Sequence, residues 1–215
     1  MKRKFCISLL TVAACVAACK SPEPSASTAA SAEPAKSTSV GEAPKPTDPA
    51  SVKTFTLDPS ASKFDFVAAK ITRSHNGQFK NFTGMATLVG DDLQSLAVEV
   101  DTASIQADDP KLTEHLKSPD FLDVAKFPKA TFKSSSITKK AAGGATHEVA
   151  GALTLHGVTQ QVTFPATVSV TPSTITGSGE LRIDRQKFGV KYPGMPDDLI
   201  KDEVVLKPTF VFAQK

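Results

Sequence analysis

From Thr54 onward, apolar and polar positions alternate with a period of two. Phe55 and Leu57 alternate with Thr54, Thr56 and Asp58, and Phe64, Phe66 and Ala68 with Lys63, Asp65 and Val67. Leu96, Val98 and Val100 share one side, with Glu99 and Asp101 on the other. Further sets run Val149, Gly151, Leu153, Leu155; Val162, Phe164, Ala166, Val168, Val170; and Ile175, Gly177, Gly179, Leu181, Ile183, before Phe210 and Phe212 close the chain. This pattern predicts strands with one buried and one wet face. Gly90-Asp91-Asp92, Gly143-Gly144, His156-Gly157 and Pro172-Ser173 punctuate the runs as turns. Ala152 to Thr163 reads as a hairpin, with His156-Gly157 filling a two-residue turn. One stretch leaves the period: Asp109-Pro110 is a cap and first-turn pair, Leu112 and Leu116 lie one helical turn apart, and Ser118-Pro119 repeats the start signal. One or two short helices are expected over 110–124. About eight strands with so small a helical insertion predict an all-β antiparallel barrel or sandwich. The strand glycines Gly151, Gly177 and Gly179 fit strong curvature or open interior space.

The chain ahead of this pattern has another character. Lys2, Arg3 and Lys4 precede an apolar stretch from Phe5 to Ala18, 14 residues long. Roughly 20 apolar residues are needed to cross a bilayer core as a helix, so the stretch fits a secretory signal better than a span. Val16-Ala17-Ala18-Cys19 resembles the bacterial lipobox, which marks residues 1–18 for removal and Cys19 for lipidation. Val12-Ala13-Ala14-Cys15 matches too, but cleavage there leaves an apolar region of only ten residues, Phe5 to Ala14; an ordinary secretion signal with an incidental cysteine is the blander alternative. Residues 20–53 hold six Pro, seven Ser, three Thr and seven Ala, no aromatic, and only Val40 and Val52 as branched aliphatics. Such a segment buries too little apolar surface to offset its ordering entropy. The expected organisation is therefore signal 1–18, lipidated Cys19 with a linker to residue 53, and a folded domain over 54–215. The expected address is the bacterial cell envelope, membrane-tethered and facing the periplasm where the host has an outer membrane.

Charge changes the picture once the signal is set aside. The chain has 25 basic and 22 acidic residues. Three of the basic ones are Lys2, Arg3 and Lys4, so the remainder is neutral and gives no electrostatic drive toward nucleic acid. The absence of Trp and the single Tyr192 also remove an aromatic platform for bases. With Cys6 and Cys15 in the signal and Cys19 acylated, no thiol is left for a disulfide, metal or nucleophile. His75, His115, His147 and His156 show no zinc-ligand spacing, and no metal is expected. Thr176-Gly177-Ser178-Gly179 lacks the nucleophile-elbow spacing. The pairs Asp91-Asp92, Asp108-Asp109 and Asp197-Asp198 read as turn or cap residues. No constellation argues for an enzyme.

Several stretches resemble the YceI-like family. They are Phe55-Thr56-Leu57-Asp58-Pro59 with Ser62-Lys63-Phe64; His115 to Val124 with Phe127-Pro128 and Ala130 to Ser134; Gly151 to Thr159; and Ile183 to Val190 followed by Asp202-Glu203-Val204. The resemblance covers essentially all of 54–215. It implies an extended lipocalin-like antiparallel barrel whose apolar lumen binds polyisoprenoid chains such as quinones or prenyl phosphates. No other cofactor is implied. On that reading Phe66, Phe82, Phe132, Leu153, Phe164, Leu181 and Phe210 are the expected lumen residues; the plain alternative for each is ordinary core. Lys70, Arg73 or Lys80 meets a phosphate head group, on charge alone. A structural or stress-related envelope module that binds no lipid is the competing reading.

Overall fold

A computed structural model describes residues 51–214. The expected signal over 1–18, Cys19 and residues 20–50 of the expected linker lie outside the described residues. The first strand, β1 (Val52–Leu57), takes in Val52 and Lys53, which composition assigned to the linker. It pairs with β4 (Phe82–Val89) and, through Phe55 to Leu57, with β13 (Asp198–Gln214).

Twelve of the thirteen strands merge into eight long rows that close on themselves. β2 (Lys63–Lys70) continues the row of β1 along β13, and β3 (Ser74–Phe79) runs on into β4. β5 (Asp92–Asp101) pairs with β4, and its continuation β6 (Ile105–Ala107) pairs with β3. Next come β7 (Lys129–Ala142), β8 (Ala145–Leu155) and β9 (Val158–Val170). β10 (Thr174–Gly179) with β11 (Leu181–Asp184) then pairs along β13, whose other side meets β1 and β2. Each row is antiparallel to its neighbour in sequence: the domain is a closed eight-stranded up-and-down barrel.

At the basal end lie the start of β1 and the turns at Gly90-Asp91, Gly143-Gly144 and 171–173. The upper end carries α1 (Pro110–Lys117), the β2–β3 turn and the 189–197 loop with its small strand β12 (Gly194–Met195). Local chemistry accounts for α1: the Asp109 carboxylate accepts from the N–H groups of Lys111 and Leu112, and Pro110 starts the first turn. The second start signal does not make a helix. Ser118 instead ends α1, and its carbonyl accepts from Phe121 and Asp123 in consecutive turns, with Asp123 at φ 44°. The His156-Gly157 turn forms between β8 and β9 as expected, both residues at positive φ. Strand β7 was masked in the sequence by a register shift between Ser134 and Ser136. That shift puts Phe132 and Ile137, residues of opposite parity, against the same core.

Candidate functional site

The inward faces of the rows enclose an apolar cavity of about 200 Å³ that runs along the barrel. Glycines make room for its rings. Phe66 in β2 lies over Gly77 in β3, Phe132 in β7 over Gly151 in β8, and Phe164 in β9 beside Gly179 in β10. Gly177 is different: no atom lies within 4 Å of where its Cβ would be, and it faces the open lumen. At the base Phe55, Leu88 and Ile175 are 2% exposed or less and fill the interior. Toward the upper end the lining residues Ala68, Leu116, Ile200 and Val204 are only half-buried.

Six of the seven expected lumen residues line this cavity: Phe66, Phe132, Leu153, Phe164, Leu181 and Phe210. Phe82 does not. It opens β4 just past the break between the two halves of its row, and its ring packs on Phe210 at 5.5 Å and edge-on against Phe64 at 6.4 Å. Those neighbours stand between it and the void, and Phe64 and Phe212 line the wall instead.

The three basic candidates do not meet. Lys70 ends β2 at the upper end and pairs with Asp198 at 3.4 Å. Arg73 is exposed in the adjoining turn. Lys80 follows β3, so the six residues of that strand separate it from Arg73, a distance of roughly 20 Å. Only Lys70 and Arg73 stand where a head group at the upper end would lie.

Sequence reasoning missed two parts of the site. One is the cover behind α1, where Leu116, Phe121 and Leu122 line the upper end of the cavity. The His115 ring sits edge-on to Phe121 at 4.9 Å and to Tyr192 at 5.0 Å, while its Nε2 meets the Asp120 carboxylate at 2.9 Å. The other is Arg185, 5% exposed. Its guanidinium donates to the carbonyls of Val190 and Tyr192 (both 2.8 Å), Lys201 (3.2 Å) and Ile200 (3.3 Å), and to the Asp202 carboxylate at 3.1 Å. All five of its N–H groups are used, so it braces the upper loop and offers no donor to a ligand. The signals for it were local: Asp184 caps a single 3-10 turn, and Gly189 takes a left-handed conformation to end it.

Two polar clusters anchor the same end. His75 is buried with Nδ1 2.8 Å from Asp108, whose second oxygen accepts from the Asn76 N–H at 3.1 Å. The hydrogen bond with His75, then that from Asn76, holds the Asp108 carboxyl below its ordinary pKa. Burial pushes the Asp198 carboxyl up, but the Thr72 hydroxyl and N–H, with Lys70, outweigh it and hold it low. Among the described residues no group of three His, Cys, Asp or Glu side chains is placed to hold a metal ion. Nor does any buried side-chain nitrogen or oxygen lack a hydrogen-bond partner. No unsatisfied polar group is therefore aimed into the lumen. What the lumen presents is hydrocarbon.

A family model described as a YceI-like domain matches residues 55–212. The chain belongs to the YceI-like family. Similar relatives include a UPF0312 protein of Pseudomonas putida (strain W619), 35% identical over 127 residues, which are 55% of this chain and 65% of that protein. Another, from Pseudomonas fluorescens (strain SBW25), is 33% identical over 140 residues, or 61% and 72% of the two chains. The chain thus spans 65% of the length of the first of these relatives. Among solved structures, Burkholderia cenocepacia BcnA is 30% identical with a TM-score of 0.63, over 72% of this chain and 98% of that one. A polyisoprenoid binding domain from Saccharophagus degradans, implicated in plant cell wall breakdown, shares the fold at 16% identity and a TM-score of 0.59, over 75% and 98%. The YceI-like barrel is closed by the pairing of the last strand with β1 and β2, the two halves of the first row.

Proposed function

We propose that this chain holds a long apolar lipid of the polyisoprenoid class in its barrel lumen, with no catalytic step, as an envelope protein tethered to a membrane through a lipidated Cys19. The observation that carries the reading is the elongated lumen with wholly apolar walls. Each CH₂ withdrawn from water there contributes ~0.8 kcal/mol, so a prenyl chain needs no polar contact to bind. Placing the head group at the upper end, beside Lys70 and Arg73, leaves its charge in water. The binding activity named for the Saccharophagus domain supports the same ligand class.

The void of about 200 Å³ is smaller than the roughly 300–1,000 Å³ of ordinary ligand pockets. A long chain would therefore enter past the cover of Leu116, Phe121 and Leu122 by swinging lining rings aside, among them the Phe132–Phe164 pair, 5.8 Å apart. The same small volume favours the rival reading of a structural module with no lipid. Solvent extraction of the purified protein followed by mass spectrometry decides between them. A co-purifying prenyl lipid is expected; an empty protein that also fails to take up added prenyl lipid overturns the proposal. The tether is tested by Cys19→Ser, which is expected to release the protein from the lipidated membrane fraction, and loss of the acyl mass without any change in fractionation would overturn it.

A further inference from the structure

Three of the five large apolar side chains exposed among the described residues stand together at the upper tip: Ile71 (64% exposed), Met195 (58%) and Leu199 (44%). They come from distant parts of the chain but share one backbone frame. The Ile71 N–H donates to the Leu199 carbonyl at 3.0 Å, and β12 pairs Gly194 and Met195 with Leu199 and Asp198. Thr72 donates to Asp198, and the Ile200 N–H donates to Pro193 at 3.0 Å. Arg185 ties both sides of this frame from beneath. Exposed apolar groups normally lie singly; here a braced hairpin and a turn present three side by side.

Charge around the tip is mainly positive. Arg73, Lys191 and Lys201 are exposed and, among the described residues, make no ion pair, while Lys70 pairs with Asp198. Asp197 is the remaining free acid, and Asp202 is matched by Arg185. Four cations thus face two acids, on a domain that as a whole is neutral, with 18 basic and 18 acidic residues over 54–215. The tip also adjoins the lumen: within β13, Leu199 points outward while the next residue, Ile200, lines the cavity.

We propose that this tip is a membrane-docking surface, with Ile71, Met195 and Leu199 set among the acyl boundary and Lys70, Arg73, Lys191 and Lys201 against anionic head groups. Apolar insertion joined to a basic rim is the chemistry that holds proteins on anionic bilayers. A protein partner would call for matched shape, for which three protruding side chains give little surface. The purpose of docking, passing a lipid between bilayer and lumen, rests on the proposed function; the docking itself does not. Chain length also allows it from a membrane that would hold a lipidated Cys19, as proposed above. The 32 residues 20–51 ahead of β1 reach at most roughly 110 Å, about twice the roughly 55 Å of a 17-residue strand.

The test uses the absence of Trp from the chain. Leu199→Trp places a single indole at the tip, and Met85→Trp places one at an exposed site on β4 away from it. The acylated full-length proteins are put on vesicles of phosphatidylcholine with phosphatidylglycerol, and on phosphatidylcholine alone. In the mixed vesicles Leu199→Trp is expected to shift to the blue and to be quenched by brominated acyl chains, whereas Met85→Trp is not. Adding Met195→Glu, or raising the salt, is expected to remove the effect without changing the melting temperature. Quenching at Met85→Trp in place of Leu199→Trp, or at neither, overturns the proposal. So does a blue shift that needs protein concentration and no vesicles, the mark of a second copy of the chain. If docking fails while prenyl lipid still co-extracts, the tip assignment alone falls; docking by an empty protein removes the carrier reading alone.

Discussion

Gly77 and Gly177 are the same residue in opposite surroundings. A Cβ on Gly77 would fall 2.3 Å from the Phe66 ring and 2.5 Å from the Gln106 carbonyl, so something must move. Gly77→Ala is expected to destabilise by ~1–3 kcal/mol, the usual cost of overpacking, read as a lower melting temperature. A side chain on Gly177 meets only the lumen. Gly177→Phe is expected to melt close to the parent while abolishing prenyl-lipid uptake, because it fills the space the ligand needs. If it melts far lower, the lumen there is not open; if uptake persists, the lipid lies elsewhere. The sequence showed glycines at inward positions of strands, but which ring lies over each is a matter of cross-strand register. The same limit explains Phe82. Its parity is that of a lining residue, and only the intervening Phe64 and Phe210 rings take it out of the wall.

The start of β3 and α1 are joined by Asp108, which lies one residue before the Asp109 cap and accepts from His75 and from the Asn76 N–H. The folded carboxyl has a lowered pKa, so it contributes stability above the ordinary carboxylate range and loses it as pH falls through the lower folded value. Asp108→Asn is therefore expected to melt below the parent near neutral pH, and the gap is expected to close under acid conditions. Melting curves at a series of pH values check this, and a gap independent of pH would show that the carboxylate charge does no work there. At this level α1 itself was legible because its cap, first-turn proline and apolar spacing lie within eight residues of each other. Of the one or two helices expected over 110–124 only one forms, for an equally local reason: Ser118 already serves as the end of α1. That β7 was hidden follows from its bulge, which breaks the period a sequence pattern depends on.

Closure is the property of the molecule as a whole, and β1 carries it. It pairs with β4 on one side and with the end of β13 on the other. A chain beginning at Ser51 is expected to melt with the mature protein, since every described pairing is kept. One beginning at Asp58 loses the whole of β1 and leaves two unpaired edges at the base. It is expected to lose the single cooperative transition and to aggregate. If the shorter chain melts like the parent, the seam is not what holds the barrel shut; if removing the linker alone lowers the transition, that segment packs on the domain.

Alternating hydrophobicity, the Asp109-Pro110 start, the His156-Gly157 turn and the composition break ahead of Thr54 were all readable in the chain by itself. Each depends on residues a few positions apart, whose steric and hydrogen-bonding preferences act before any distant contact forms. Family motifs spread over 54–215 carried the barrel and the expectation of an apolar lumen. The tertiary structure alone decided the closing of eight rows, the exclusion of Phe82 from the cavity, the five-bond brace at Arg185 and the meeting of Ile71, Met195 and Leu199. Those features join residues up to about 160 positions apart, and their partners are chosen by strand register and loop closure, which no local pattern encodes.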